Sequence, residues 1–164
     1  MLATVVEVVT ALLTLAGLAY LLLALWGTRD FVHYWRGRKL DREFAPDVSI
    51  LKPVKGVDPR MYAGLVSHCR QLYAGNFEII FGVSSVDDPA VGEIERLRAE
   101  FPECAIRLVE CRERLGTSGK VSNLVQMLRE AKYEYLIVND SDIRVKPDYL
   151  RRVVAPLVDP PAAQ

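Results

Sequence analysis

Cysteine and histidine, which supply most zinc ligands, are scarce in this sequence. Its 164 residues include three cysteines and two histidines. Cys69, Cys104 and Cys111 are an odd set without C-x-x-C spacing, so they predict neither a disulfide framework nor a zinc site. We expect them to be reduced, as in a cytosolic compartment. His33 and His68 stand alone, and we expect each to be a surface or interfacial residue rather than a ligand.

The chain also lacks a net charge. Lys and Arg together number 21, as do Asp and Glu, so bulk electrostatics give no reason to expect a nucleic-acid partner. Hydrophobic residues make up 51% of the chain and charged residues 26%, which favours a globular or membrane-attached protein over a disordered one. The length of the chain favours a single domain.

The apolar residues are concentrated at the amino end. From Leu2 to Trp26 the only charged residue is Glu7, and the run exceeds the roughly 20 residues that a bilayer core requires. A signal peptide would have a basic n-region and a cleavage site, and neither is present. We predict an uncleaved transmembrane anchor over residues 1–27; a buried core helix is the alternative.

The charges around this run predict its orientation. No Lys or Arg precedes it, whereas the following segment is basic, with Arg29, Arg36, Arg38, Lys39 and Arg42. The positive-inside rule places the remainder of the chain in the cytoplasm. The abundance of Ala, Arg and Val favours a bacterial source, and hence the inner membrane. We interpret residues 28–47 as a juxtamembrane linker and 48–164 as the soluble unit.

Short apolar runs and helical patterns alternate in the soluble unit. The runs that predict strands are VSIL (48–51), FEIIFGV (77–83), AIRLVE (105–110) and YEYLIVN (133–139). Helical spacing joins Met61, Leu65 and Leu72, then Val91, Ile94, Leu97 and Phe101, then Val121, Leu124, Val125, Leu128 and Ala131, and a last helix is predicted from Pro147. This alternation predicts an α/β fold with a parallel, Rossmann-like sheet, in which ligands bind beyond the carboxyl ends of the strands.

Aspartates follow two of the predicted strands. In the D-S-D triplet, Asp140 and Asp142 are two residues apart, and in an extended segment such side chains point the same way. Hard carboxylate oxygens suit Mg²⁺ or Mn²⁺ shared with substrate phosphates; a chance turn is the alternative. Asp88 precedes Pro89 and also fits a helix N-cap, as does Asp58 before Pro59.

The GTSGK segment (116–120) superficially resembles a phosphate-binding loop. It is not a Walker motif, because Arg114 stands at the first glycine position and Val121 at the Ser or Thr position. Amides at a helix start beside Lys120 could still attract a phosphate, and a flexible surface loop is the alternative. Lys52 and Lys55 lie near a strand end, where they either approach a ligand or are simply solvated.

Four blocks in register resemble the ceramide glucosyltransferase family, a glycosyltransferase family 21-like group that includes bacterial hopanoid-biosynthesis glycosyltransferases. The blocks are ILKPVKGVDP (50–59), FEIIFGVSSVDDPAV (77–91), GKVSNLVQML (119–128) and NDSDIRVKPDYL (139–150). The resemblance implies a partial GT-A domain after one transmembrane helix. It also implies inverting transfer of a sugar, glucose or N-acetylglucosamine, from a UDP-sugar to a lipid acceptor such as ceramide or a hopanoid.

The resemblance also assigns site residues. It implies a metal site at Asp140 and Asp142, and nucleotide-sugar binding by Asp87, Asp88, Lys120, Asn123 and Asp140. The family's third aspartate, the expected base, and its Q/R-x-x-R-W motif have no counterpart here, so we expect no catalytic base within this chain and little or no transfer by it alone. The alternatives are an inactive membrane-anchored module with a GT-A-like fold, and a polysaccharide or other glycolipid synthase of the same superfamily.

Overall fold

The computed structural model describes residues 1–37 and 44–157, with side chains described for all but 34–37. It forms two compact units, Met1–Lys39 and Leu40–Gln164. Each is considered by itself below.

The first unit is a single helix, α1 (Leu2–Gly37). Its segment Leu2–His33 is long and apolar enough to cross a membrane. The hydroxyls of Thr10, Thr14 and Thr28 donate to carbonyls four residues earlier, at 2.7–2.8 Å, so these polar groups are satisfied within the helix. The helix runs past residue 27, and residues 28–37 of the predicted linker are helical. Residues 38–43 of that linker lie outside the described part of the chain.

The second unit contains a four-stranded sheet, and its α/β class is as predicted. The strands are β1 (Val48–Pro53), β2 (Phe77–Val83), β3 (Ala105–Glu110) and β4 (Tyr135–Val138). All pairings are parallel and the spatial order is β3-β2-β1-β4. Because the order reverses between β1 and β4, the crevice beyond their carboxyl ends is the expected ligand position.

Helices cover both faces of the sheet. They are α2 (Met61–Cys69), α3 (Ala90–Glu100), α4 (Gly119–Glu130) and α5 (Tyr149–Val154), and a 3₁₀ turn (Ala155–Leu157) follows α5. The helices α2, α3 and α5 contribute to the larger core cluster, as Leu65, Ile94 and Leu150 do. On the other face, α4 packs through Met127 against Leu51 and Ile80. A Cβ atom on Gly82 would overlap the Met127 side chain, so glycine permits this close approach.

Two predicted helix faces were wrong in part, although Met61 and Leu65 are buried and Leu124 and Ala131 pack against the core as predicted. Leu72 lies beyond the end of α2 and is 76% exposed. In α4 the buried residues are Ser122, Asn123, Gln126 and Met127, whereas Val121, Val125 and Leu128 are exposed. The reason is a polar attachment: Gln126 Oε1 accepts from Glu113 N at 3.0 Å, and Ser122 Oγ accepts from Leu115 N at 3.1 Å. These bonds join α4 to the loop after β3.

Candidate functional site

A cleft of about 670 Å³ lies at the carboxyl edge of the sheet, where the strand order reverses. Segments from four parts of the chain line it. They are residues 53–55 and Asp58 at and after the end of β1, Ser84 after β2, Gly119, Lys120 and Asn123 at the start of α4, and residues 140–142 after β4. The topology of the sheet therefore brings together blocks that are widely separated in sequence. This is the ligand edge that the strand and helix pattern predicted.

Asp140 and Asp142 both line this cleft. They lie in a turn after β4 rather than in the extended segment that was predicted, and Ile143 N donates to Asp140 O at 3.4 Å across that turn. Both residues are exposed to solvent. The turn therefore presents two carboxylates to the cleft without the strand geometry.

Lys120 is the second residue of α4 and reaches across the cleft to Asp140. Its Nζ donates to Asp140 Oδ1 in an ion pair, and the side chains are 52% and 56% exposed. The helix begins at an N-cap formed by Ser118, whose Oγ accepts from Val121 N at 3.4 Å. Amides of the first turn of a helix have no partner within it. The cleft thus combines a lysine, a helix amino terminus and two carboxylates.

Lys52 holds the same aspartate from inside the protein. It is fully buried in β1, and its Nζ donates to the Asp140 carbonyl at 2.7 Å. Burial lowers the pKa of Lys52 to about 8, although the charges of Asp140 and Asp142 oppose that shift. Of the two alternatives for Lys52, the solvated lysine was therefore wrong. It is a cation placed beneath the acidic turn.

A partly buried polar chain extends from Lys52, whose Nζ lies 3.5 Å from His68 Nε2, to α5. His68 is fully buried; Nδ1 donates to Gly64 O at 2.9 Å, because a carbonyl only accepts, and Nε2 accepts from Asn139 Nδ2 at 3.1 Å. The hydroxyl of Tyr149 donates to Asn139 Oδ1 at 3.0 Å. Burial and the nearby charge of Lys52 lower the pKa of His68 to about 4, so the imidazole is neutral. The expectation that His68 lies at a surface was wrong.

Asp88 is used differently from Asp140. Its carboxylate accepts from Gly56 N at 2.9 and 3.1 Å and from Ala90 N at 2.9 Å. It therefore ties the loop after β1 to the start of α3, and Gly56 has a φ of 67°, a left-handed conformation that favours glycine. The N-cap of α3 is Pro89 and not Asp88 as predicted, although the bond from Ala90 N places the Asp88 carboxylate at the start of that helix. Asp87, the adjacent residue, is exposed, and its backbone N donates to Ser85 Oγ at 3.1 Å.

Asn123 lies on the cleft wall and is nearly buried. Its side-chain amide and Ser84 Oγ are 3.3 Å apart, which joins α4 to the end of β2. Asp58, also in the cleft lining, has its Oδ1 accepting from Arg60 N at 2.8 Å. This contact closes a turn before α2. Neither residue needs a bound molecule to account for its position.

The possible metal ligands in the cleft suit a divalent ion that is shared with a phosphate group. Asp140 and Asp142 supply hard oxygen ligands at one mouth of the cleft, and within the described residues no group of three or more His, Cys, Asp and Glu side chains is placed to hold a metal. Mg²⁺ and similar ions are commonly held by one or two carboxylates, with water and phosphate completing the coordination. The residues therefore suit an ion shared with a phosphate ligand rather than a closed protein site.

Comparison with known proteins identifies the family. The sequence profile of glycosyl transferase family 21 matches residues 9–163. The chain belongs to this family. It is 35% identical over 111 residues to the ceramide glucosyltransferase of Komagataella phaffii, which covers 65% of this chain and 22% of that protein. It is 31% identical over 103 residues to ceramide glucosyltransferase 1 of Caenorhabditis elegans, covering 63% of this chain and 22% of that protein.

This family 21 chain therefore matches about a fifth of the length of those two relatives. The predicted partial GT-A fold is confirmed by solved structures. The mannosyltransferase PcManGT of Pyrobaculum calidifontis, solved with GDP-Man and Mn²⁺, has a TM-score of 0.66 at 26% identity over 85% of this chain and 40% of its own. TarS 1-349 of S. aureus, solved with UDP-GlcNAc, has a TM-score of 0.55 at 19% identity, covering 69% of this chain and 31% of its own; it is similar in fold.

The family 21 fold brings four predicted site residues to one cleft: Lys120, Asn123, Asp140 and Asp142. Asp87 and Asp88 lie on the adjoining loop after β2. Sequence analysis missed the roles of Lys52 and His68, which lie beneath the cleft. One signal was available for Lys52, since a lysine inside a strand expected to be buried needs a polar partner.

Proposed function

We propose that this chain is the donor-binding part of a membrane-anchored inverting glycosyltransferase that uses a UDP-sugar and a lipid acceptor. The observation that supports it most is the cleft in which Asp140 and Asp142 face Lys120 at the start of α4. In this proposal Lys120 and the α4 amides bind the donor diphosphate, and the two aspartates hold Mg²⁺ or Mn²⁺. Such an ion would offset the charge that builds up on the departing diphosphate.

The names of the relatives support the acceptor class. Both are ceramide glucosyltransferases, which favours glucose as the sugar and ceramide as the acceptor. N-acetylglucosamine and a hopanoid are the alternatives that this proposal retains from the sequence resemblance. The helix α1 would hold the protein in the membrane, with the second unit in the cytoplasm because basic residues follow the apolar run. A bacterial inner membrane is part of this proposal. That the chain alone carries out little or no transfer stays a prediction.

Nucleotide binding tests the proposal directly. The detergent-solubilised chain is titrated with UDP and, separately, GDP by calorimetry, with and without Mn²⁺, beside Asp140→Asn and the control Glu134→Gln. Glu134 directly precedes β4 at the opposite edge of the sheet, so the control removes one carboxylate away from the cleft.

We expect Mn²⁺-dependent binding of UDP that Asp140→Asn abolishes and Glu134→Gln retains. Preference for GDP would change the donor class towards that of the mannosyltransferase complex. Absence of binding by the folded wild-type chain would contradict the donor-site proposal and favour the inactive anchored module.

A further inference from the structure

Two lysines contact Asp140, and they differ in burial and in the Asp140 atom that each contacts. Lys52 is fully buried and binds the Asp140 carbonyl at 2.7 Å. Lys120 is half exposed and binds the Asp140 carboxylate through Oδ1. The first contact holds the backbone of the acidic turn. The second occupies an oxygen lone pair that a metal ion would need.

The position of Lys120 is unusual for a helix. A cation in the first turn is opposed by the helix dipole, which favours negative charge at that end. The contact with Asp140 compensates only modestly, since an ion pair between exposed side chains contributes little net free energy. Both side chains are more than half exposed. The ion pair is therefore weak enough to be exchanged for another partner.

We propose that Lys120 is a built-in cation that occupies the place of the divalent ion on Asp140 while the donor is absent, and transfers to the donor diphosphate when nucleotide and ion bind. This inference rests on the proposed function. Lys120 has three donors and a flexible four-carbon stem, so it changes partner by rotating its side chain. Because Lys52 keeps its bond to the Asp140 carbonyl, the turn stays in place during the exchange.

The exchange couples the two ligands. An ion that binds alone must displace Lys120 from Asp140, which weakens its affinity. A nucleotide diphosphate that accepts Lys120 frees the Asp140 carboxylate and so strengthens ion binding. By thermodynamic reciprocity, the ion strengthens nucleotide binding by the same factor. The site therefore resists loading with the ion alone and favours loading with both.

Removing the lysine should change the two affinities in opposite directions. The binding of Mn²⁺ alone to the detergent-solubilised chain is measured from the free-ion electron paramagnetic resonance signal, and UDP binding at saturating Mn²⁺ by calorimetry. For Lys120→Met we expect Mn²⁺ alone to bind about threefold to fivefold more tightly, the equivalent of an exposed ion pair. UDP should bind about tenfold more weakly, because one charge-assisted contact to phosphate is lost.

Two variants make the result specific. Lys120→Arg keeps the charge and should remain within about twofold of wild type for Mn²⁺ alone. Lys146→Met removes one positive charge from an exposed position on the same loop as Asp140, outside the cleft lining. It should also change the Mn²⁺ affinity less than twofold, since solvent and salt screen its charge.

The outcomes separate this inference from the function on which it rests. If Lys120→Met weakens both ligands, or leaves Mn²⁺ binding unchanged, Lys120 does not occupy the ion's place and the inference is overturned. An equal tightening in Lys146→Met would assign the effect to general charge and would also overturn it. If wild type binds no UDP with Mn²⁺, the donor-site proposal fails together with the inference.

Discussion

Each of two loops at the same edge of the sheet carries a pair of aspartates, and the two pairs make different contacts. In the loop after β2, the carboxylate of Asp88 accepts hydrogen bonds from the backbone amides of Gly56 and Ala90. In the loop after β4, the Asp140 carboxylate faces the cleft and the support comes instead from Lys52 on its carbonyl. An aspartate that stabilises its loop has little capacity left for a ligand. One whose loop is held by another residue remains available.

The largest expected effect on stability comes from His68, which belongs to the polar chain behind Asp140. Since the pKa of His68 is about 4 in the folded protein, below its ordinary value of 6.5, the unfolded chain takes up the proton first as the pH falls. The free energy of unfolding should therefore decrease between about pH 6.5 and pH 4, by on the order of 3 kcal/mol from this residue. Urea unfolding of the full chain in detergent, followed by circular dichroism, measures it.

The variant His68→Gln, which has no titratable group, provides the comparison for that experiment. Its free energy of unfolding should depend less on pH than that of wild type over the same interval, since carboxylates contribute equally to both proteins. Identical pH profiles for the two proteins would show that His68 is not held neutral by burial.

Removing the Asp88 carboxylate from the loop after β2 should lower the free energy of unfolding by a smaller amount. Asp88→Ala leaves the amides of Gly56 and Ala90 without their acceptor, and a lost hydrogen bond to a charged group is worth about 1.5–3 kcal/mol. Half-buried Asp88 retains some access to water, so we expect about 2 kcal/mol in urea unfolding. Unchanged stability would mean that the loop after β1 does not depend on this contact.

Gly56 lies in the loop after β1 that Asp88 contacts, and a substitution there is a smaller perturbation than Asp88→Ala. Its φ of 67° is costly for a residue with a Cβ atom, although open space surrounds the position. We expect Gly56→Ala to lower the free energy of unfolding by about 1 kcal/mol through backbone strain. Gly92→Ala is the matched control, because it lies in α3 with open space for a Cβ atom. That control should be neutral or stabilising, and equal losses in both variants would rule out strain as the cause.

The smallest effect on stability is expected at Asp140 itself. Asp140→Asn retains the carbonyl that Lys52 binds and loses an exposed ion pair with Lys120, so the free energy of unfolding should change by no more than about 0.5 kcal/mol. Nucleotide binding should be lost in the same variant. A large loss of stability would remove the distinction between the two loops.

Sequence analysis predicted the strands well because each is a short apolar run bounded by polar residues. The structure places β2 and β3 at residues 77–83 and 105–110, as predicted, and β4 at 135–138 within the predicted 133–139. The helices were predicted in order, but three of the five residues predicted for the buried face of α4 are exposed. Val121, Val125 and Leu128 have helical spacing, yet the hydrogen bonds of Ser122 and Gln126 turn the polar side inwards. Periodicity reports which residues share a face and not which face is covered.

By itself the sequence determined the apolar amino-terminal helix, the order of strands and helices, and the family, because these depend on local composition and on short blocks of residues. Tertiary structure alone decided which aspartate remains open to a ligand. Asp88 meets Gly56 from 32 positions away, and Lys52 meets Asp140 across 88 positions. Such contacts arise only when parallel strands place their carboxyl ends at one edge of the sheet.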